Sequence, residues 1–106
     1  MCARTQSGDY TTPVQLRCPG DDTTVIDKVV FASFGTPEGQ CVWSNSSNTF
    51  AYNQSCHAAA SVQAIAERCI GRHNCTIIPD TSTFGGDPCH RVDKWLAVQV
   101  PARSAG

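Results

Sequence analysis

The chain has 106 residues, 41% of them hydrophobic and 16% charged, with a formal net charge of −1. That apolar share excludes a disordered segment, and the near-neutral balance without a basic run excludes the footprint of a nucleic-acid binder. No apolar stretch approaches the roughly 20 residues that cross a bilayer, and the length argues for one domain.

The polar opening from Arg4 to Pro13, with Gly8 inside it, reads as a loop or edge segment. Val14, Leu16 and Cys18 then alternate with Gln15 and Arg17, which predicts a short half-buried strand stopped by Pro19-Gly20. After a turn at Asp21 to Thr24, the β-branched and aromatic run from Val25 to Phe34 predicts a second strand, ended by Gly35-Thr36-Pro37. Val42 to Ser55 is rich in Asn and Ser but carries Trp43, Phe50 and Tyr52, and loops of this length are usually functional or mobile. The period then changes. Val62, Ile65, Ala66 and Cys69 form one helical stripe, with Ser61 able to cap its start and Gly71 to end it in the left-handed conformation. A third strand at Cys75 to Ile78, a Gly-rich turn at Phe84 to Pro88 and a last strand from Trp95 to Val100 follow. The tail from Pro101 to Gly106 is expected to fray, leaving a core of about residues 2–100 in a small β-rich domain with one helix.

Seven cysteines, Cys2, Cys18, Cys41, Cys56, Cys69, Cys75 and Cys89, place this chain in an oxidising compartment. A domain this small buries only roughly 60–65% of its unfolded surface, so bridges of about 2–4 kcal/mol each matter to it. The odd count leaves one thiol free, paired with another chain, or without its partner. Three N-x-S/T sequons, at Asn45, Asn53 and Asn74, fit a secreted protein. No export signal opens the chain, because Met1 is followed at once by Cys2. The expectation is therefore an excised domain of a longer secreted protein.

Cys56-His57, His73-x-Cys75 and Cys89-His90 bring zinc-ligand residue types together, but without C-x2-C or H-x3-H spacing. Bridged cysteines and surface histidines are the expectation, with no metal and no cofactor. A Cys-His nucleophile needs an activated thiolate, and nothing marks Cys18 as one. A glycosidase needs two carboxylates flanking one bond, whereas the nine acids here are scattered. Binding is the better class. Asp87 and Lys94 flank Cys89, and a carboxylate with an ammonium suits sugar hydroxyls. The plainer alternative makes Asp87 a turn cap and Lys94 a solvated charge.

At this point the residues resemble a family. FASFGTPEGQC (Phe31 to Cys41), ERCIGRHNC (Glu67 to Cys75) and FGGDPC (Phe84 to Cys89), followed by Lys94-Trp95-Leu96, look like the galactose/rhamnose-binding lectin domain of sea-urchin egg lectin type. The likeness runs from Cys2 to about Val100, and FASFGTP, CHA at Cys56 to Ala58 and FGGDPC are most like the C-terminal domain of plant β-galactosidases. The resemblance implies a disulfide-stapled β-sandwich of about five strands with one helix. It implies bridges Cys2–Cys41, Cys56–Cys89 and Cys69–Cys75. The family's fourth bridge would join Cys18 to a cysteine after the last strand, where this chain reads Val100-Pro101-Ala102, so Cys18 is expected as a free thiol.

The resemblance also implies a sugar site. Animal members use a Glu after the first cysteine, a Tyr in A-N-Y-G-R, the Asp of D-P-C, a following Gly and the Lys of K-Y-L. This chain keeps Asp87 and Lys94 but has Ala3, Phe34, Thr36 and Arg91 at the other positions. Each lost bond to sugar costs about 0.5–1.5 kcal/mol, more where the group was charged. Candidate sugar-binding residues are thus Asp87, Lys94, Phe34, Arg91, Trp43 and Tyr52, the last two on a loop that either stacks on an extended glycan or is a flexible insert. Two readings stand. One is a non-catalytic module holding a secreted β-galactosidase near galactose- or rhamnose-containing wall polymers, monomeric in isolation, with the enzyme's catalytic domain upstream in the same chain. The other is a lectin fold that has lost its sugar and serves the parent enzyme by stability or spacing.

Overall fold

A computed structural model describes residues 1–41 and 50–104. Strands dominate, with one helix. In chain order they are β1 (Cys2–Arg4), β2 (Val14–Arg17), β3 (Thr24–Ile26), β4 (Phe31–Gly35), α1 (Ser61–Cys69), β5 (Asn74–Ile77), β6 (Trp95–Gln99) and β7 (Ala102–Ser104). They form three small antiparallel sheets, ordered β1-β6-β4, β2-β5 and β3-β7, so the sandwich is looser than two broad facing sheets.

Period-2 alternation places the core on both faces of the central sheet. Ala32 and Phe34 of β4 with Leu96 and Val98 of β6 join Ile65 and Cys69 of α1 in the larger cluster. Phe31 and Ala97 face the other way and pack with Phe50 and the Cys2–Cys41 bridge. The bridges Cys2–Cys41, Cys56–Cys89 and Cys69–Cys75 close separations of 39, 33 and 6 residues. Chain-entropy arguments give the two long loops about 4 kcal/mol each and the short one about 2. Cys18 is unbridged and buried at 2% exposure beside Leu16 and Cys75 in the larger cluster.

Several expectations change. The run from Val25 to Phe34 is two strands in different sheets, because four residues, 27–30, oppose only two, 100–101, between the pairs Ile26↔Ala102 and Phe31↔Gln99. Pro101 supplies no N–H at that point, so neither chain keeps the ladder unbroken. Beyond the break the described part of the tail is ordered: Ala102–Ser104 pairs with β3. An edge strand not expected from the sequence, Cys2–Arg4, pairs with β6, while residues 5–13 are loop as expected. On α1 the buried positions are Ser61, Ala64, Ile65 and Cys69, while Val62 is 50% exposed.

Ser61 does not cap the helix. Its hydroxyl donates to Ala58 O at 2.6 Å and accepts from Phe34 N–H at 3.0 Å, tying α1 to β4 inside the core. Gly71 does take the left-handed conformation, φ +84°, just beyond the helix end. No helix among the described residues is long and apolar enough to cross a membrane.

Candidate sugar-binding site

The free edge of β4 is covered by residues 56–58. Thr36 N–H donates to Cys56 O at 3.0 Å, and Ala58 N–H donates to Phe34 O at 2.9 Å. This approach needs Gly35, because a Cβ there would stand 2.0 Å from Cys56 O. The segment thereby sets His57, which bridges to Gly35 across the edge. The His57 Nδ1 is 2.8 Å from the buried Ser33 Oγ, and its ring stacks on Tyr52 at 4.3 Å. Burial of the ring lowers the His57 pKa below the ordinary 6.5. Tyr52 itself is 52% exposed.

The Cys56–Cys89 bridge, Cα–Cα 5.2 Å, ties this segment to the turn at 84–91. Phe84 anchors that turn by stacking on Phe34 at 4.8 Å. Gly85 and Gly86 take φ of +82° and +135°, conformations that a side chain would strain. Between the two segments lies an open cleft of about 280 Å³ lined by His57, Ala58, Phe84, Gly85, Gly86 and Asp87, among others. Asp87 also lines a neighbouring cleft of about 220 Å³ with Tyr10, Asp80, Thr81 and Lys94.

Asp87 and Lys94 do come together. The Lys94 Nζ is 3.0 Å from Asp87 Oδ1 and donates to Cys89 O at 3.0 Å and Val92 O at 2.6 Å. An ammonium has three protons, and these three acceptors take them all. Lys94 is 5% exposed and its N–H donates to the Tyr10 hydroxyl oxygen at 3.0 Å, so it is a buried clasp and not a solvated charge. Asp87 Oδ1 also accepts from Cys89 N–H at 3.0 Å. The Lys94 bond first, then the Cys89 amide, hold the Asp87 pKa below the usual carboxylate value. Among the described residues Oδ2 has only the His90 ring at 3.4 Å, on a side chain 90% exposed. One carboxylate oxygen is thus fixed by two donors, and the Asp87 side chain as a whole is 31% exposed.

The remaining expected residues scatter. Phe34 is a correction: at 0% exposure, between Phe84 and the edge of Tyr10, it has no surface to offer a sugar. Its ring supports the turn from below. Arg91 is exposed, lines neither cleft beside Asp87, and is the one non-glycine with positive φ among the described residues, at +60°. Ala3 lines a different cleft, with Arg4, Gln6 and Gln15. Trp43 and Asn45 lie outside the described residues. The histidines do not all sit on the surface as expected. His57 and His73 are half-buried, the latter with Nδ1 2.8 Å from Thr24 O. No three potential ligands gather for a metal among the described residues.

His57 and Tyr10 were not anticipated at the site. A Cys56–Cys89 bridge is the available signal for His57, because it places C-H-A beside D-P-C. Tyr10 sits in a polar stretch with no pattern to mark it.

A family model described as the D-galactoside/L-rhamnose binding SUEL lectin domain matches residues 16–101. Among curated relatives, Beta-galactosidase 7 of Oryza sativa subsp. japonica is 36% identical over 98 residues, 92% of this chain and 12% of that protein. Beta-galactosidase 8 of Arabidopsis thaliana is 39% identical over 91 residues, 85% of this chain and 10% of that protein. Beta-galactosidase 14 of Arabidopsis thaliana is 36% identical over 95 residues, 90% of this chain and 10% of that protein. The chain thus spans only about a tenth of the length of these relatives, in a compact fold stapled by three bridges. It belongs to the D-galactoside/L-rhamnose binding SUEL lectin domain family.

Proposed function

We propose that this domain, residues 1–106 as one unit, is the non-catalytic carbohydrate-binding module of a secreted β-galactosidase that acts on cell walls. Its ligand is a galactose-containing wall polysaccharide, and its task is to hold the catalytic part of the same chain near that polymer. The observation that carries this reading is Asp87, a lining residue of the glycine-walled cleft, whose Oδ1 is pinned by Lys94 and the Cys89 amide. A preorganised carboxylate accepts from a sugar hydroxyl at little entropic cost, and the flat exposed face of Tyr52, stacked on the cleft residue His57, suits the C–H side of a pyranose. Lys94 acts through Asp87 and does not touch the sugar.

The test is an amide-shift titration with galactose, rhamnose and longer β-galactans. Saturable shifts at Asp87, His57 and Tyr52, abolished by Asp87→Ala with the fold retained, are expected. Binding unchanged in Asp87→Ala would sink the assignment.

Two observations favour the second reading, a lectin fold without sugar. The Lys94 donors are spent, and Ala3 lacks the carboxylate of the animal site. That reading predicts no shifts with any glycan, and a loss of stability or secretion of the parent enzyme when the domain is removed.

A further inference from the structure

Two sequons fall on described residues, and both asparagines are exposed, but one lies in a turn and the other in a strand. Asn53 is exposed, in a tight turn where Cys56 N–H donates to Asn53 O at 2.9 Å. Its Oδ1 accepts from Ser55 N–H at 3.1 Å and from the Ser55 hydroxyl at 2.7 Å. An N–H donor demands an oxygen, so the amide orientation follows from the bond itself. With Oδ1 doubly engaged, Nδ2 is left without an acceptor among the described residues. Asn74, in contrast, opens β5, pairs with Arg17, and has Thr76 two residues on along the same strand. Residues i and i+2 of an extended strand lie on one face about 7 Å apart, so 74–76 lacks the tight turn that closes 53–56. The middle residue, Cys75, is also locked to Cys69.

We infer that Asn53 is an N-glycan acceptor of this domain and that Asn74 is not. Acceptor sequons belong to surface loops of secreted proteins, which describes 53–55 and not 74–76. The donor is an oligosaccharide carried on a lipid pyrophosphate. Asn53 Nδ2 attacks its anomeric carbon. The C–N bond forms as the anomeric C–O bond breaks, the lipid pyrophosphate leaves with the electron pair, and a proton of Nδ2 passes to a base of the transferase. The Ser55 hydroxyl positions the amide oxygen and loses no atom.

This inference rests on the secreted reading only in that the chain must meet the transferase. Expression of the full chain behind an export signal in a eukaryotic host supplies that encounter. Failure of the mapping then falls on Asn53, while failure of the sugar titration falls on the cleft. Enzymatic release of N-glycans in heavy-oxygen water tags each formerly glycosylated Asn for peptide mapping. Asn53 is expected to carry the tag and Asn74 none. Asn53→Gln and Ser55→Ala should both lose the glycan, and Ser55→Thr, which keeps the hydroxyl and the turn, should retain it. A secreted, disulfide-bonded protein with Asn53 bare, or with Asn74 tagged more than Asn53, overturns the inference.

Discussion

The Lys94 ammonium and the Asp87 carboxylate meet at 3.0 Å with the lysine side chain only 6% exposed. This pair closes the turn that carries Cys89, because the same ammonium also binds Cys89 O and Val92 O. The residue that a family comparison marks for sugar is therefore first a structural clasp. Substituting Lys94→Met keeps the stem volume but strips two carbonyls and a carboxylate of their donor. A loss of about 2–3 kcal/mol is expected, which for a domain of this size lowers Tm by roughly 10 °C or more. An unchanged Tm by calorimetry would show that the clasp is incidental.

Stability should fall steeply in acid. Asp9 is held down to about 2 from an ordinary 3.8, chiefly by the Thr12 hydroxyl and then the Thr12 and Thr11 amides. Asp21, Asp80 and Asp87 are lowered too, by the Thr23 hydroxyl, the Thr83 hydroxyl and Lys94 respectively. A carboxylate with a depressed folded pKa contributes stability that is complete above its unfolded pKa and lost as pH falls through the folded one. The urea midpoint is expected to drop between pH 4 and pH 2. A midpoint flat across that window contradicts the four turn assignments.

His57 carries the same sign in a higher window. Its folded pKa lies below 6.5 because burial opposes charging, so the unfolded chain binds the proton first as pH falls. Its contribution is complete above pH 6.5 and declines as pH drops from there towards the folded pKa. Proton NMR of the His57 ring should give a pKa below 6.5. A value above 6.5 would mean the ring is not packed against Ser33 and Tyr52 as described.

Gly35→Ala tests how the site is positioned. The new methyl would meet backbone atoms of Cys56 at 2.0 and 2.7 Å, which no rotamer change relieves. Displacing residues 56–58 from the β4 edge should cost about 2–3 kcal/mol and shift the His57 and Tyr52 resonances more than those of β2 or β5. A variant with wild-type stability and an unmoved His57 would refute the close approach.

Cys18 offers a chemical check. At 2% exposure it should resist a thiol reagent in the native protein and react fully, as one thiol per chain, once denatured. Rapid labelling without denaturant would place it at the surface. Cys18→Ala should cost roughly 1 kcal/mol through lost packing.

Much of this domain is legible along the chain because its signals are local. Alternation marks β2, a change of period marks α1, and Pro and Gly mark the turns. The family motifs and the cysteine positions carry the fold class. What composition and period could not supply is everything set by which strand edges meet. The break within Val25–Phe34 arises from a mismatch against residues 100–101, and the pairing of Ala102–Ser104 needs β3 beside it. Ser61 reads locally as a helix cap, but a buried hydroxyl bonds to the nearest unpaired groups, here Phe34 N–H and Ala58 O. The same holds at the site. Asp87 and Lys94 are visible in sequence, yet only the folded turn decides that the ammonium spends its three protons inside the protein and that one oxygen of Asp87 is taken by two donors. Residue types are properties of the chain, whereas the donors and acceptors left over for a ligand are what remains after tertiary packing has taken its share.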